Sequence, residues 1–381
     1  MDDPTIVGGG IGGLTAALAL RRRGFEPVVY ERATELRPVG AGILLGANAM
    51  QAYDRLGLAA RIREAGSAKR TIRILAPDGA SVSTLDVAAL EAEFGHPFVA
   101  VHRGDLQRLL LDQLPEGDVR TDAECVGVTG EGPGVDVDFA DGSAVTANLV
   151  VGADGIESAV RGSLFPGASV RQSGIVCYRG VASVALPSSL RETGLEVWGE
   201  GHFVGVEDLG GDRAYWYVTA TRPLAAPDDP PSLARALART TADYPAPFPG
   251  VVEATPGPEI LVDELADVAP LPTWSRGATV LLGDAAHAPL PFLGQGAGQA
   301  VEDALALARA LDDHGGTRRA FDAYERARKE KADRVVTASR RLGRLAALDG
   351  HVACSVRNAA ARWLPDVLTR RQQRAIARLS V

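Results

Sequence analysis

The residues best placed to do chemistry fall late in the chain, over 279–304, which reads TVLLGDAAHAPLPFLGQGAGQAVEDA. An apolar run over 279–282 ends at Gly283-Asp284. Pro289 and Pro291 break the next stretch, and Gly294, Gly296 and Gly298 open a helical pattern. That order reads as strand, carboxylate, loop and then a helix start whose backbone amides are bare. Asp284 at a strand end can accept a hydrogen bond from a ribityl or ribose hydroxyl. The amides over 294–298, Gln295 and Ala297 included, sit at the positive end of a helix and can hold a delocalised negative charge. A reduced flavin carries such a charge near N1 and its C2 carbonyl oxygen. A Gly/Pro-rich turn with no ligand is the plain alternative, so the stretch has to be read with the N-terminus.

There, the run Thr5-Ile6-Val7 leads into Gly8, Gly10 and Gly13 at the spacing G-x-G-x-x-G, with Gly12 inside it. A helix is expected over 14–23, stopping at Gly24, and a second strand over 27–30, ending at Glu31. The glycines allow a tight turn and let a pyrophosphate approach a helix N-terminus. Glu31, 18 residues past Gly13, is spaced to bind ribose hydroxyls. A purely structural βαβ unit is the alternative. An acid at this position disfavours the 2′-phosphate of NADP and leaves NAD or FAD as the tightly held ligand. Residues 38–43, PVGAGI, form a glycine-rich loop where backbone would approach a ligand, and Asn48 is a candidate cap for a helix over 49–56. Arg103 stands just before an expected helix over 106–114. A cation is disfavoured there unless an anion such as a pyrophosphate lies nearby, the alternative being a solvated arginine.

The elements that must hold these groups alternate in type along the chain. Residues 70–97 suggest strands of a second sheet, and 119–147 an antiparallel meander. The run 148–153 reads as a buried strand returning to the first sheet. It ends at Asp154-Gly155, with Ser158 and Arg161 on a short helix after it. Over 174–222 aromatic and β-branched residues alternate, which predicts a separate antiparallel sheet. Tyr215, Tyr217 and Thr219 share one face, and Trp216 and Val218 the other. An aromatic-lined sheet beside a redox cofactor is where a flat apolar substrate would lie. A Pro-rich link over 223–231 precedes a helix over 232–241, and the chain finishes in one long charged helix over 317–345 and shorter helices over 355–379.

A length of 381 residues suggests two or three domain-sized units, and 46% hydrophobic with 23% charged residues is ordinary for a soluble globular protein. A net charge of −8 argues against general nucleic-acid binding. Residues from 317 onward hold 16 Lys/Arg against 6 Asp/Glu, a net of +10, so the remainder carries −18. Cys125, Cys177 and Cys354 are too scattered for a zinc site or a disulfide framework and fit a reducing cytosol. Neither a signal-type N-terminus nor an apolar run of about 18 residues is present. The expectation is a soluble cytoplasmic chain with no transmembrane segment, no nucleic-acid partner and no metal.

Four motifs in order, GGGIGG with Glu31-Arg32, His102-Arg103 with Asp105-Leu106, GADG with Ser158 and Arg161, and GDAAH…P…GQGAGQAVEDA, carry a resemblance over essentially the whole chain. Together they resemble the single-component FAD-dependent aromatic monooxygenases, which share the para-hydroxybenzoate hydroxylase architecture. The compact bacterial salicylate, 3-hydroxybenzoate 6-, 6-hydroxynicotinate and urate hydroxylases are the most similar. The resemblance implies an α/β (α+β overall) fold: a Rossmann-like FAD-binding domain from 1–70, 98–170 and 275–316, an inserted antiparallel β-sheet substrate domain from 71–97 and 171–274, and C-terminal helices over 317–381. It implies non-covalent FAD, with Gly12, Glu31, Arg32, Gly42 and Arg103 on the ADP half or pyrophosphate. Val126 would offer its backbone to the adenine, Asp284 would hold the ribityl chain, and 294–298 the isoalloxazine. Asp154-Gly155 would serve both FAD and NAD(P)H, and His287 is expected to be structural.

The implied reaction has NADH or NADPH bind transiently and reduce the FAD. Dioxygen then adds at flavin C4a, and the hydroperoxide attacks an electron-rich aromatic or heteroaromatic ring. Tyr178, His202, Tyr215 and Tyr217 are candidates to assist substrate deprotonation, with Tyr215 first and His202 and Tyr217 beside it. The chain departs from its relatives at Ala47 (often Pro) and Gly298 (often Asn). It has His202 and Tyr215 where urate-type members use an arginine and a tyrosine, which tells against urate itself. A flavin-dependent reductase or epoxidase acting on a polyprenyl or natural-product substrate is the alternative, with a non-catalytic FAD-binding regulator as outsider. A halogenase is disfavoured because W-x-W-x-I-P is missing. A monomer or homodimer is expected.

Overall fold

The β-branched run Thr5–Val7 is buried at every residue, as a central parallel strand must be. In the computed structural model it pairs in parallel with Val28–Tyr30 and with Val150–Gly152, Ile6 lying opposite Val29 and Val151. Thr279–Leu281 extends the sheet beside Val150–Gly152 in parallel, and Ser275–Arg276 and Val119–Arg120 close its two edges. The structure describes residues 3–36, 41–130, 134–224, 230–314, 317–363 and 366–381.

Two helices lie side by side near their starts, Ile11–Arg21 and Gly296–Asp313. A methyl group on Gly12 would come within 3.0 Å of Leu282 and 3.3 Å of Ala300, so small residues set this close approach. It brings the glycine motif of the N-terminus and that of 294–298 to the same end of the parallel sheet, where ligands of such sheets bind.

The meander forms from Cys125–Thr129, Val135–Phe139 and Ala144–Ala147. Val119–Arg120, expected within it, instead edges the parallel sheet, because Asp122 adopts a positive φ and the chain turns before resuming. Gly42 and Ile43, expected at the end of the glycine-rich loop, instead begin a strand, Gly42–Leu45, paired antiparallel to Phe98–His102, which Ser67–Lys69 flanks on the other side. Pro38, Val39 and Gly40 of that same motif lie outside the described residues.

The large sheet runs in the order Leu261–Val268, Val170–Ala182, Arg213–Ala220, Phe203–Gly210, Thr193–Trp198, Thr71–Leu75, Ser81–Asp86. Thr71–Leu75 pairs in parallel with Thr193–Trp198, so the sheet expected to be antiparallel is mixed. Residues 87–94, expected as strand, form a helix, Val87–Phe94, whose start Asp86 caps by accepting from the Ala89 amide. The two faces divide as their alternation demands. Trp216, Val218 and Tyr178 point into a core with Leu233, Leu237, Phe248 and Val251 of the helices Pro230–Thr241 and Phe248–Glu253. Tyr215 and Tyr217 point to the opposite side. The chain ends in the helices Thr317–Ala346, His351–Arg362 and Asp366–Ala377. Among the described residues, no helix is long and apolar enough to cross a membrane.

Candidate active site

The glycine loop is shaped by hard contacts. Gly8 has φ of +107°, and a methyl group on Gly13 would lie 1.9 Å from the Gly8 carbonyl oxygen. One on Gly10 would meet nothing within 4 Å. Gly10 caps the helix Ile11–Arg21 with no side-chain hydrogen bond, so the first amides of that helix face an open side. Glu31, at the end of Val28–Tyr30, accepts from the Gly9 amide at 2.6 Å and from the Ala33 amide at 2.9 Å. Each oxygen keeps a lone pair for a ribose hydroxyl. Arg32 follows, exposed, and Val126 is exposed on the neighbouring meander strand.

Arg103 is the first residue of the helix Arg103–Leu111. It is exposed, and its amide donates to the Ala41 carbonyl at 3.0 Å. Its guanidinium acts electrostatically on Asp284, which brings together two residues 181 positions apart in the chain. Asp284 begins a short helical turn after Gly283, whose φ is +62°. Its side chain is accessible although protein surrounds it, the position of a group lining a cleft. Burial raises its pKa, opposed by His287 and Arg103. A methyl group on Gly296 would sit 3.8 Å from the Asp284 carboxylate, so the carboxylate adjoins the helix start at 296–298. No side chain caps that start. Gln295 is the N-cap residue, and its side-chain oxygen is taken by Asn48 at 3.1 Å and Gln299 at 3.2 Å.

Asn48 is therefore not the helix cap the sequence suggested. The helix Ala47–Arg55 starts at Gly46, and Asn48 lies inside it, fully buried, donating to Gln295 and to Glu302 at 2.7 Å. Behind the helix start lies a charged cluster that sequence reasoning missed. Arg328 is completely buried and donates to Glu302 at 2.5 Å, Asp303 at 2.8 Å and Gln299 at 2.7 Å. Asp303 also takes the Gly283 amide at 3.1 Å and His287 at 2.6 Å, so His287 is held in this cluster. Burial alone would raise the Asp303 pKa, but His287 and Arg328 beside it bring it down to about 2. One signal was available: Glu302-Asp303 is an acid pair inside an otherwise apolar helical run, and such a pair must find cations when buried.

Asp154 uses both oxygens locally, accepting from Ser158 at 2.5 Å and from the Val160 amide at 3.1 Å. Arg161 from the same turn donates to the Ala285 carbonyl at 3.0 Å. The GADG motif thus clamps the loop that carries Asp284.

Facing this cleft is the front of the large sheet. A methyl group on Gly42 would fall 2.4 Å from Tyr215, so that ring rests on the strand start. The Tyr217 ring lies across Gly205 and packs with Leu290 and Phe292 of the proline-broken loop. The Tyr217 hydroxyl donates to Glu196 at 2.6 Å, and the Trp198 indole donates to the other Glu196 oxygen at 3.2 Å. Glu207 stands beside Tyr215 across the strand pair and leans over Gly194. Arg179, on the same face, is held by Asp263. Burial pushes Tyr215, Tyr217, Glus 196 and 207 upward, Glu207 to about 7. The tyrosines therefore remain neutral phenols. His202 lies apart from them, in the turn before Phe203–Gly210. It bonds and stacks on Tyr244, which packs against the core on the sheet's other side. Tyr178 points to that side too, accepting from the Leu224 amide at 2.9 Å.

Over residues 3–339 the chain matches a family described as FAD binding domain. The chain belongs to the FAD-dependent aromatic hydroxylase family. It is 38% identical to the aurachin C monooxygenase/isomerase of Stigmatella aurantiaca over 96% of both chains. It is 33% identical to the FAD-dependent urate hydroxylase of Mycolicibacterium vanbaalenii over 88% of this chain and 86% of that one. A solved structure, Klebsiella pneumoniae HpxO with FAD and uric acid, superposes with a TM-score of 0.88 at 25% identity, covering 98% of this chain and 96% of the other. As a member of this FAD-dependent family the chain is an enzyme of the monooxygenase type. Its own residues fit the cofactor: an open side at Gly10, an accessible carboxylate at Asp284, and an uncapped helix start at Gly296.

Proposed function

We propose that this protein is an NAD(P)H-using monooxygenase that hydroxylates an electron-rich aromatic or heteroaromatic small molecule. The observation that carries the reading is the front of the large sheet, with Tyr215 resting on Gly42 and Tyr217 on the Leu290–Phe292 side, set against the FAD cleft. Bound FAD supplies hydride acceptance from NAD(P)H and the activation of dioxygen that delivers one oxygen atom to the ring.

The chain's part is to hold and orient. The loop Gly8, Gly10, Gly12 and Gly13, with Arg103, takes the pyrophosphate; Glu31 takes the ribose, with Arg32 and Val126 at the adenine side. Gly42, whose missing side chain makes room for the Tyr215 ring, would leave its backbone to the ADP half, and Asp284 would take the ribityl hydroxyls. The amides of Gly294, Gln295, Gly296, Ala297 and Gly298, at an uncapped helix start, would hold the isoalloxazine and stabilise negative charge on it. Asp154 acts by clamping the 284–287 loop through Ser158 and Arg161. Tyr215 and Tyr217 form the wall that sandwiches the substrate ring and excludes water. His202 is the least suited of the three candidates, since Tyr244 occupies it and burial lowers its pKa.

The test is NAD(P)H consumption and oxygen uptake by the FAD-loaded protein over a panel of phenols, aromatic acids and N-heteroaromatics. Oxidation stimulated by a substrate, with a product heavier by one oxygen, is the expected result. Flavin-loaded protein that consumes NAD(P)H while reducing an alkene, without oxygen uptake, would replace it with the reductase alternative.

A further inference from the structure

Apart from the Tyr215 phenol, the polar groups on the substrate wall are acceptors once Glu207 is ionised, above its pKa of about 7. Tyr217 has committed its proton to Glu196, so the phenol oxygen offers the cleft only lone pairs. The second Glu196 oxygen is filled by the Trp198 indole. Glu207 has no hydrogen bond at all among the described residues, and its Oε2 atom is buried. A buried carboxyl left without a donor is costly; the Lys69 charge offsets part of that cost but gives Glu207 no hydrogen bond. Lys69 is fully buried and spends its ammonium on Ser67 at 3.0 Å and on the Arg191 and Asp208 carbonyls, both at 2.7 Å. Arg179 is tied to Asp263. The sheet face of Tyr215 and Tyr217 therefore also carries two carboxyls, and its arginines, Arg179 and Arg213, are already paired with Asp263 and Asp105.

We propose that Glu196, Glu207 and Tyr217 make this site select an aromatic substrate that presents an N–H donor, such as a ring N–H, and reject carboxylated arenes. This rests on the hydroxylase reading above and names its substrate class. An arriving N–H supplies the donor Glu207 lacks, while a benzoate would meet two carboxyls with no free guanidinium to bind it.

The experiment uses the oxidised, FAD-loaded protein at pH 8 without NAD(P)H, following the flavin absorbance during titration with 4-quinolone, N-methyl-4-quinolone and 3-hydroxybenzoate. The first two ligands differ in that a methyl group replaces the ring N–H, and a preference that comes from the bulk of the methyl rather than from the lost donor would survive in Glu207→Leu. The wild-type protein should bind 4-quinolone at least about tenfold more tightly than either of the others, the effect of about one donor–acceptor pair. Glu207→Leu should erase that preference while keeping its FAD content, and Glu207→Gln should reduce it. Equal binding of the N–H and N-methyl forms, tighter binding of the benzoate, no binding of 4-quinolone, or an undiminished preference in flavin-loaded Glu207→Leu would each overturn the proposal. Because no turnover is measured, the result stands apart from that of the oxidation assay. Benzoate-stimulated NAD(P)H oxidation would refute the substrate class and leave the hydroxylase intact.

Discussion

A single methyl group placed at Gly13 or at Gly10 separates folding from cofactor binding. At Gly13 it would strike the Gly8 carbonyl, so Gly13→Ala should yield destabilised protein, with a melting temperature several degrees lower even without flavin. At Gly10 it meets no protein atom, and Gly10→Ala should keep the apoprotein's melting temperature while lowering the flavin-to-protein ratio after purification. Asp284→Ala should leave secondary structure unchanged by circular dichroism and weaken FAD retention about tenfold or more; a full flavin complement would remove Asp284 from the site. Glu207 supplies a pH signature. Its folded pKa, about 7, lies above the ordinary glutamate value, so the folded state binds the extra proton and stability falls as pH rises from about 4.3 towards 7. The groups around it, Glu196, Asp208, Lys69 and Tyr215, are unchanged in Glu207→Gln. That variant should gain melting temperature over wild type at pH 8 and much less at pH 5.

At the scale of elements, the helix start at 296–298 is rigid because of what lies behind it. Arg328 ties Glu302, Asp303 and Gln299 together from the long C-terminal helix. Arg328→Met removes the buried cation that both carboxylates share, leaving Glu302 with Lys331 and Asn48 and Asp303 with His287 and the Gly283 amide, a loss of about 3 kcal/mol measurable by denaturant unfolding. Asp303 has its pKa depressed to about 2. Its stabilisation is complete above the unfolded value of about 3.9 and is lost as pH falls through that value towards 2. The elements were legible wherever the signal was local. The glycine loop, the parallel strands and the alternation placing Tyr215 opposite Trp216 all follow from spacing within a few residues. The parallel pairing of Thr71–Leu75 with Thr193–Trp198 depends on partners far apart in sequence. So does the burial of Asn48 against Glu302, and neither leaves a periodic trace.

For the molecule as a whole, the sequence order of the motifs was informative because three of the four follow the ends of neighbouring parallel strands, Thr5–Val7, Val150–Gly152 and Thr279–Leu281. The fourth, His102-Arg103, lies at the end of a strand of the separate sheet with Gly42–Leu45. The acceptor character of the substrate wall was not legible: it arises only when Glu196, Tyr217 and Glu207 are brought together from three strands. Arg328 was hidden for the same reason, as one basic residue among many on a charged helix. The central claim, oxygen transfer from dioxygen to an aromatic ring in this cleft, is tested most directly by isotope incorporation. The FAD-loaded protein, given NAD(P)H, heavy-oxygen dioxygen and an accepted substrate, should form a product containing one labelled oxygen atom, with NAD(P)H consumed in equal amount. A product whose new oxygen comes from water, or NAD(P)H oxidised to yield only peroxide with every ring offered, would contradict it.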